Sequence, residues 1–513
     1  MRDVASPDFT LGIVGAGIMG RGIAQIAAEA GMTVCLADAR REAVDEAVAA
    51  TAAMIRRGAE KGRLSRDAAE AACARILATD AGAERGWAPF ADCDLVIEAV
   101  VERMEVKHAV LIGLEAVVGD DCILATNTSS LSVTGLAAAA RRPERVAGFH
   151  FFNPVPLMKV VEVIGGLLTD AAVVERLAAI ARRLGHRPVV ATDTPGFLVN
   201  HAGRAYGTEA LRLVQEGVAS FADVDRVMTE AAGFRMGPFE LFDLTGLDVS
   251  QTVMESIYHQ YYEEPRYRPS PIGAQRRTAG LFGRKTGRGF YAYPEGRQVK
   301  PVEAPVPAVD PKSLSVWIDP RRAEAQSALA AIATAAGATV ESGATPSATA
   351  LILLAPLGED ATTAAVALGI DATRAVAVDT LLPLDRRRTL MTTPATSLAA
   401  RDAAHALLAA DGAAVTVIRD SAGFIAQRML ASIVNVGCDI AQQRIATPGD
   451  VDTAVELGLG YPRGPLALGD SLGAERIRDI LSALLSLSGD PRYRPSPWLR
   501  RRAALGLSLT VED

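Results

Sequence analysis

The chain has 513 residues, of which 49% are hydrophobic and 22% charged, with a formal net charge of −7. This length suits several domains, and the acidic balance without a basic tract disfavours nucleic-acid binding. We expect a cytoplasmic protein, because no signal-peptide pattern or apolar run of about 18 residues is present. We expect no metal site, because the five cysteines lack Cys-x-x-Cys spacing.

The first predicted element is a strand, Leu11–Val14, that leads into a Gly-x-Gly-x-x-Gly turn and a helix. Gly15 permits the tight turn, Gly17 lets a pyrophosphate approach the backbone, and Gly20 allows close helix packing. Asp38 ends the next predicted strand, where a carboxylate accepts hydrogen bonds from ribose hydroxyls and repels a 2′-phosphate. This pattern predicts a site for NAD.

The stretch from Arg41 to Ala78 is predicted to be helical. It is interpreted either as a solvated helical hairpin or as a cationic surface for an acyl-carrier phosphate.

Two buried parallel strands are predicted next, one through Glu98 and one through Thr126. Open parallel sheets bind cofactors at the carboxyl ends of their strands. Glu102 and Lys107 after the first strand, and the small polar residues after the second, are therefore predicted to line the site.

A histidine and a glutamate then lie in two apolar, strand-like runs. His150 ends the run from Arg145, and Glu162 lies within the run from Lys159 to Ile164. If these strands pair, the carboxylate fixes the imidazole tautomer and leaves the other ring nitrogen free to take a proton. With the nucleotide signature, this pair predicts proton removal coupled to hydride transfer.

Residues 194–293 are predicted to form a helical domain, with Asn200 near its start as a hydrogen-bonding group for a substrate oxygen. A Pro-rich linker at 294–312 follows. Residues 313–418 alternate strands with Ala-rich helices, and 419–513 are again helical.

Motifs of the first half recur in the second. Gly423 matches Gly196 at an offset of 423 − 196 = 227, and the heptapeptide from Pro491 repeats that from Pro265 letter for letter. We therefore predict an α/β Rossmann-type nucleotide-binding domain at 1–193 plus an all-α C-terminal domain, both duplicated. The second copy is predicted to be degenerate, because it lacks the glycine turn and has Gln427 where Asn200 would recur.

These motifs resemble those of the 3-hydroxyacyl-CoA dehydrogenase family over residues 8–295. The resemblance rests on the run His150-Phe-Phe-Asn-Pro-Val-Pro-Leu-Met-Lys-Val-Val-Glu162-Val and the run Asp-Thr-Pro-Gly-Phe-Leu-Val-Asn200. The full length resembles the long bacterial subgroup of phenylacetate catabolism, which implies 3-hydroxyadipyl-CoA as the substrate; 3-hydroxybutyryl-CoA in fatty acid catabolism is the other choice. The family pattern usually has an arginine directly after the asparagine, where this chain has His201.

The resemblance implies a role for each matching residue. His150 would take the 3-hydroxyl proton, Glu162 would orient it, and Ser129 and Asn200 would hold the substrate oxygens. The residues implied to surround NAD are Gly15, Gly17, Gly20, Asp38, Glu102, Lys107, Asn127 and Ser129, and those implied for the acyl-CoA are Lys61 and Asn153.

Two other functions stay open from the sequence: a non-catalytic NAD-binding structural protein on the same fold, and a hydroxyacid dehydrogenase that relies on a lysine. The duplicated helical domain predicts either a pseudo-dimer within one chain or a homodimer.

Overall fold

The computed structural model describes residues 2–512, which form two compact units. The first unit comprises the chain up to His201 together with Gln443–Leu459. The second comprises Ala202–Gln442 together with the residues from Gly460 onward. Within the described range, no helix combines the length and the apolar character that crossing a membrane requires.

The first unit is built on an eight-stranded sheet. Its strands are β1 (Thr10–Val14), β2 (Thr33–Ala37), β3 (Ile76–Ala78), β4 (Leu95–Glu98), β5 (Ile123–Thr126), β6 (Val146–Phe151), β7 (Val160–Gly165) and β8 (Arg187–Thr192). Their order is β3-β2-β1-β4-β5-β6-β7-β8, and all neighbours are parallel except β6 and β7. The order reverses between β1 and β4, the point at which such sheets bind ligands beyond their carboxyl ends.

Helices cover both faces of this sheet. They are α1 (Ile18–Glu29), α2 (Arg41–Glu60), α3 (Arg66–Ala74), α4 (Met104–Glu115), α5 (Val133–Ala137), α6 (Ala171–Arg183), α7 (Val199–Ala202) and, from late in the chain, α17 (Pro448–Leu459). Successive side chains of a strand point to opposite faces, so Leu95 and Ile97 join one apolar cluster and Val96 joins another. Because both faces of the sheet are buried, its strands are apolar at consecutive positions.

The predicted helical stretch from Arg41 to Ala78 is wrong at its end. Ile76–Ala78 is strand β3, which pairs in parallel with β2 at the sheet edge. Ile76 is buried in the core beneath α2 and α3. Burial of this apolar side chain under the helices outweighs the helical preference of the preceding Ala-rich sequence.

The second unit contains a six-stranded sheet. Its strands are β9 (Ser315–Ile318), β10 (Thr339–Val340), β11 (Leu351–Leu354), β12 (Ala375–Val378), β13 (Arg387–Thr392) and β14 (Ala414–Ile418). Their order is β10-β9-β11-β12-β13-β14, with only the β12–β13 pair antiparallel. Each of the two sheets thus has a single antiparallel pair.

The helices of the second unit come from both helical stretches and from the second α/β stretch. They are α8 (Arg204–Gln215), α9 (Phe221–Arg226), α10 (Pro238–Thr245), α11 (Leu247–Gln260), α12 (Pro271–Thr278), α13 (Ala323–Ala335), α14 (Ala361–Leu368), α15 (Leu398–Leu408), α16 (Ala426–Gln442), α18 (Pro465–Leu472), α19 (Ala474–Ser488) and α20 (Pro497–Leu505). One π-turn, Val227–Ala231, continues α9. Helices α8 and α16 pack against each other.

A buried ionic cluster joins these two helices. Glu209 on α8 accepts hydrogen bonds from Arg428 on α16 at 2.6 Å and from the Tyr493 hydroxyl at 2.7 Å. Arg492 lies 3.4 Å from the same carboxylate. Burial opposes ionisation of Glu209, but the charges of Arg428 and Arg492 outweigh it, so its pKa lies below the ordinary value.

Replacing Glu209 with alanine should destabilise the protein by about 3–5 kcal/mol, because Arg428 and Arg492 would keep buried charges without this partner. Glu216→Ala is the matched control. The Glu216 carboxylate also accepts a hydrogen bond from Arg428, at 2.7 Å, but it is 37% exposed. We therefore expect Glu216→Ala to lower the free energy of unfolding by at most about 1 kcal/mol. Urea unfolding followed by circular dichroism measures both losses, and equal midpoints for the two variants would contradict the assignment.

Candidate active site

The loop after β1 folds closely on itself. Gly15 has a φ of +115°, and a Cβ there would lie 2.4 Å from the carbonyl oxygen of Ala99. A Cβ at Gly20 would lie 1.8 Å from the carbonyl oxygen of Gly15, so both positions require glycine. At Gly17, a Cβ would meet none of the described atoms within 4 Å. The loop therefore leaves room for a phosphate group beside the amino terminus of α1.

Asp38 follows β2 at the same edge of the sheet. Its Oδ2 accepts the N–H of Ala16 at 2.8 Å, and its Oδ1 accepts the N–H of Arg40 at 3.1 Å. The half-buried carboxylate is thus fixed against the glycine loop. A carboxylate in this position can accept hydrogen bonds from the hydroxyls of an adenosine ribose.

Glu98, the last residue of β4, holds Lys107 in the interior. The Nζ of Lys107 donates to Glu98 at 2.7 Å and lies 3.2 Å from Glu102, and the side chain is 2% exposed. Glu98 also accepts from the hydroxyl of Thr126 at 2.9 Å. The ammonium group predicted to line the cofactor site is thus engaged by two carboxylates. Sequence reasoning missed Glu98, because it ends an apolar strand and carries no motif of its own.

Glu102 organises the loop that follows β5. Its Oε1 accepts from the Thr128 hydroxyl at 2.6 Å and from the N–H groups of Ser129 and Ser130 at 2.9 and 3.1 Å. Burial opposes its ionisation, but the hydrogen bond from Thr128 and the charge of Lys107 outweigh it, so the pKa of Glu102 lies below its ordinary value. The carboxylate is ionised at neutral pH and holds Ser129 in place.

Asn127 ties this loop to the end of β6. Its Oδ1 accepts the N–H of Phe151 at 2.9 Å. Phe151 follows His150 in the chain, so the bond brings the loop that carries Asn127 and Ser129 to the strand end that carries the imidazole.

His150 and Glu162 form a buried pair across the antiparallel strands. The register places them directly opposite each other, which confirms the predicted strand pairing. The Nδ1 of His150 lies 2.5 Å from the Oε2 of Glu162, and the two residues are 5% and 0% exposed. The ring of Phe152 packs on the imidazole with 4.5 Å between centroids. A charge-assisted hydrogen bond therefore lies in apolar surroundings.

The main chain holds the second oxygen of Glu162. Its Oε1 accepts the N–H of Leu198 at 2.9 Å and that of Val199 at 2.7 Å. A turn with Gly196 and Phe197 at φ values of +77° and +48° presents these amides, so the predicted helix begins only at Val199, as α7. The left-handed conformation of Phe197 is unfavourable for a side chain of this type and marks a constrained site. Both carboxylate oxygens have partners, and the group is fixed.

This geometry decides what each ring nitrogen of His150 can do. Because the carboxylate accepts from Nδ1, the neutral ring carries its proton there and its lone pair at Nε2. When Nε2 takes a proton, the anion of Glu162 offsets the cost of a buried imidazolium. The pair can therefore act as a general base.

Asn200, Asn153 and Lys61 are also predicted to contact the substrate, and they lie on or directly after three different elements. Asn200 lies on α7, directly after the Val199 amide that binds Glu162. Asn153 is exposed just after β6, and its peptide bond to Pro154 is cis. Lys61 caps the carboxyl end of α2 and is exposed.

Asp193 is a positioning residue whose role sequence reasoning missed. Its carboxylate accepts from the Ser132 hydroxyl at 2.7 Å and from the N–H groups of Val133 and Thr134 at 3.0 and 2.7 Å. It thus caps α5 and ties the end of β8 to the loop after β5. An aspartate between a strand and a Pro-Gly turn was the available signal.

The sheet order, the glycine loop and the buried His150–Glu162 pair are together typical of a dinucleotide-dependent oxidoreductase. The model of the 3-hydroxyacyl-CoA dehydrogenase NAD binding domain matches residues 10–194. That of the 3-hydroxyacyl-CoA dehydrogenase C-terminal domain matches residues 196–293 and again 423–508. The chain therefore belongs to the 3-hydroxyacyl-CoA dehydrogenase family, and its cofactor is NAD.

Some known relatives match nearly the whole chain, and others match about half of it. It is 36% identical to the 3-hydroxyadipyl-CoA dehydrogenase of Escherichia coli K12 over 97% of this chain and 98% of that protein. The human mitochondrial hydroxyacyl-coenzyme A dehydrogenase is 39% identical over 55% of this chain and 90% of its own. The crystal structure of 3-hydroxybutyryl-CoA dehydrogenase from E. coli K12 superimposes with a TM-score of 0.84 at 34% identity, covering 97% and 98% of the two chains.

Removing the charge of Asp38 should weaken the preference for NADH over NADPH. Asp38→Asn retains a hydrogen-bonding side chain but no longer repels a 2′-phosphate, so we expect NADPH to bind roughly tenfold more tightly than to the wild type. Fluorescence titration with each nucleotide measures the change. Asp45→Asn, an exposed position on α2, is the control, and an unchanged ratio of affinities in Asp38→Asn would contradict the role of this carboxylate.

Proposed function

We propose that this protein oxidises (S)-3-hydroxyacyl-CoA thioesters to 3-oxoacyl-CoA, with His150 as the catalytic base. The observation that carries the proposal is the 2.5 Å contact between His150 Nδ1 and Glu162 Oε2. NAD+, when bound, supplies the hydride acceptor. The alternative function, a non-catalytic structural protein, does not explain why an imidazole and a carboxylate are buried together. A lysine-dependent mechanism is disfavoured at Lys107, which is buried between two carboxylates.

In the proposed reaction, the Nε2 of His150 accepts the proton of the 3-hydroxyl group. Glu162 stabilises the resulting imidazolium, and the amides of Leu198 and Val199 keep that carboxylate in its orientation. Ser129 and Asn200 hydrogen-bond the substrate oxygens and so orient the hydroxyl group toward the base.

The open space at Gly17 and the fixed carboxylate of Asp38 fit a dinucleotide. We propose that the glycine loop binds the pyrophosphate, that Asp38 binds the adenosine ribose, and that the loops carrying Glu102, Asn127 and Ser129 border the nicotinamide. Lys107 contributes to this border by holding Glu102 in place. For the acyl-CoA, we propose contacts from Lys61 and Asn153.

The proposed acyl group is 3-hydroxyadipyl or 3-hydroxybutyryl, in aromatic or fatty acid catabolism. The E. coli relative that aligns over the full length is a 3-hydroxyadipyl-CoA dehydrogenase, which supports the first choice. The similar E. coli crystal structure is that of a 3-hydroxybutyryl-CoA dehydrogenase, which supports the second. Comparing kcat/KM for the two thioesters decides between them.

We also propose that the second half is a degenerate copy of the first, with boundaries at 193, 293, 312 and 418. Asp420 accepts the N–H groups of Ala361 and Thr362 at 2.8 and 3.3 Å, as Asp193 does at α5, and 420 − 193 = 227. Gln427, at the position of Asn200, instead donates to Asp379 at 2.9 Å. These contacts support a shared ancestry without shared chemistry.

The test of the proposed reaction is NADH formation from NAD+ with (S)- and with (R)-3-hydroxybutyryl-CoA and 3-hydroxyadipyl-CoA. We expect turnover of the (S) form of at least one thioester. No turnover of any of the four compounds by protein that binds NAD+ would overturn the proposal.

A further inference from the structure

A segment from the second helical stretch is built into the first unit, which carries the His150–Glu162 pair. Residues 443–459, including α17, belong to this unit. The carbonyl oxygen of Ile445 accepts the N–H of Thr192 at 2.9 Å, and the carboxylate of Asp450 accepts the N–H of Val190 at 3.2 Å. These contacts cover the edge of β8, which would otherwise be an exposed edge of the sheet.

Helix α17 packs on β7 and β8 and reaches the surroundings of Glu162 through Gly458. A Cβ on Gly458 would lie 3.0 Å from Val199 Cγ1, 3.1 Å from Val199 Cγ2 and 3.5 Å from Val160 Cγ1. Val160 begins the strand that carries Glu162, and the N–H of Val199 donates to the Glu162 Oε1 at 2.7 Å. Gly458 therefore packs against both segments that hold the carboxylate.

The second unit shows the reciprocal arrangement, in which a segment of the first helical stretch contacts the second sheet. The N–H of Arg419 donates to the carbonyl oxygen of Val218 at 3.0 Å. These positions match Thr192 and Ile445 at the repeat offset, since 419 − 192 = 227 and 445 − 218 = 227. The π-turn after α9 packs on β13, as α17 packs on β7. Each sheet thus packs against a helical segment of the other copy.

We propose that Gly458 is a positioning residue for Glu162, so that the second helical copy completes the catalytic unit of the first. This inference rests on the proposed function of the His150–Glu162 pair. Gly458 acts through Val199: the absence of a side chain lets α17 approach closely, and the Val199 amide stays at hydrogen-bond distance from the carboxylate. The role requires no contact of Gly458 with substrate or cofactor.

The experiment compares Gly458→Ala and Gly458→Val with Gly449→Val in the full-length protein. Gly449 lies on the same helix, and a Cβ there would meet none of the described atoms within 4 Å. We expect Gly458→Val to lower kcat about 10- to 100-fold, with Gly458→Ala intermediate and the KM for NADH unchanged, since a small displacement of a catalytic group is costly. Gly449→Val should turn over like the wild type.

A second substitution separates positioning from a general loss of folding. Val199→Ala removes both methyl groups that a new Cβ would meet, so adding it to Gly458→Ala should restore kcat toward the wild type. Alanine also favours a helix over glycine, so a loss of kcat in Gly458→Ala does not arise from helix propensity. Wild-type turnover in both Gly458 variants, or a lower melting temperature with unchanged kcat, would overturn the inference. An inactive wild type would instead refute the proposed function itself.

Discussion

Replacing His150 with glutamine should lower kcat by about 10²–10⁴, the usual contribution of a general base. Glutamine keeps a polar side chain beside Glu162 but cannot accept a proton at neutral pH. Binding of NADH should remain, because the glycine loop and Asp38 are unaffected. Steady-state turnover of acetoacetyl-CoA, with NADH affinity measured separately by fluorescence, tests both expectations.

The control for this variant is His259→Gln, because His259 is exposed on α11. It should turn over like the wild type. Near-normal turnover of His150→Gln would exclude this imidazole as the base.

Replacing Glu162 with glutamine should also lower kcat by about 10²–10⁴, because a neutral amide no longer stabilises the imidazolium that forms during proton removal. The amide oxygen can still accept from Leu198 and Val199, so the fold around the site should persist. Glu263→Gln, a carboxylate paired with the exposed His259 at 3.0 Å, is the matched control.

The double variant distinguishes a pair that acts as a unit from two independent groups. If Glu162 acts only through His150, adding Glu162→Gln to His150→Gln should cost much less than the product of the two single losses. Fully multiplicative losses would show that Glu162 contributes separately from the imidazole.

The geometry of the glycine turn and of the His150–Glu162 pair was predictable because its signals are local. The glycine turn follows directly after a strand, and His150 and Glu162 lie in two apolar runs that can form a hairpin. The antiparallel register of β6 and β7 then brings the pair together. What the sequence did not predict is how the pair is held, since the amides of Leu198 and Val199 come from a left-handed turn.

The strands β10 and β13 have weak local signals in the sequence. β13 begins with Arg387 and Arg388, which break the apolar pattern expected of an interior strand. Both are nonetheless 3% exposed, because Arg387 pairs with Glu303 at 2.9 Å and Arg388 with Asp411 at 2.6 Å. β10 has only two residues. In each case, contacts from distant positions decide the structure, and propensity cannot supply them.

The sequence also did not predict that each sheet packs against a helical segment from the other half of the chain. The repeat offset shows that the helical stretch recurs, but not that α17 packs on β7 and β8. Ile445 and Asp450 cover the edge of β8, and an internal pseudo-dimer of the two proposed copies is one proposal that accommodates these contacts. The homodimer is the alternative, and the solution mass of the protein distinguishes them.

The most direct test of the proposed chemistry is NADH oxidation by the purified full-length protein with acetoacetyl-CoA and with 3-oxoadipyl-CoA. We expect turnover of at least one thioester with NADH, because the proposed base His150, Glu162 and the dinucleotide loop lie in one unit. Protein that binds NADH but oxidises it with neither thioester would contradict the proposed reaction.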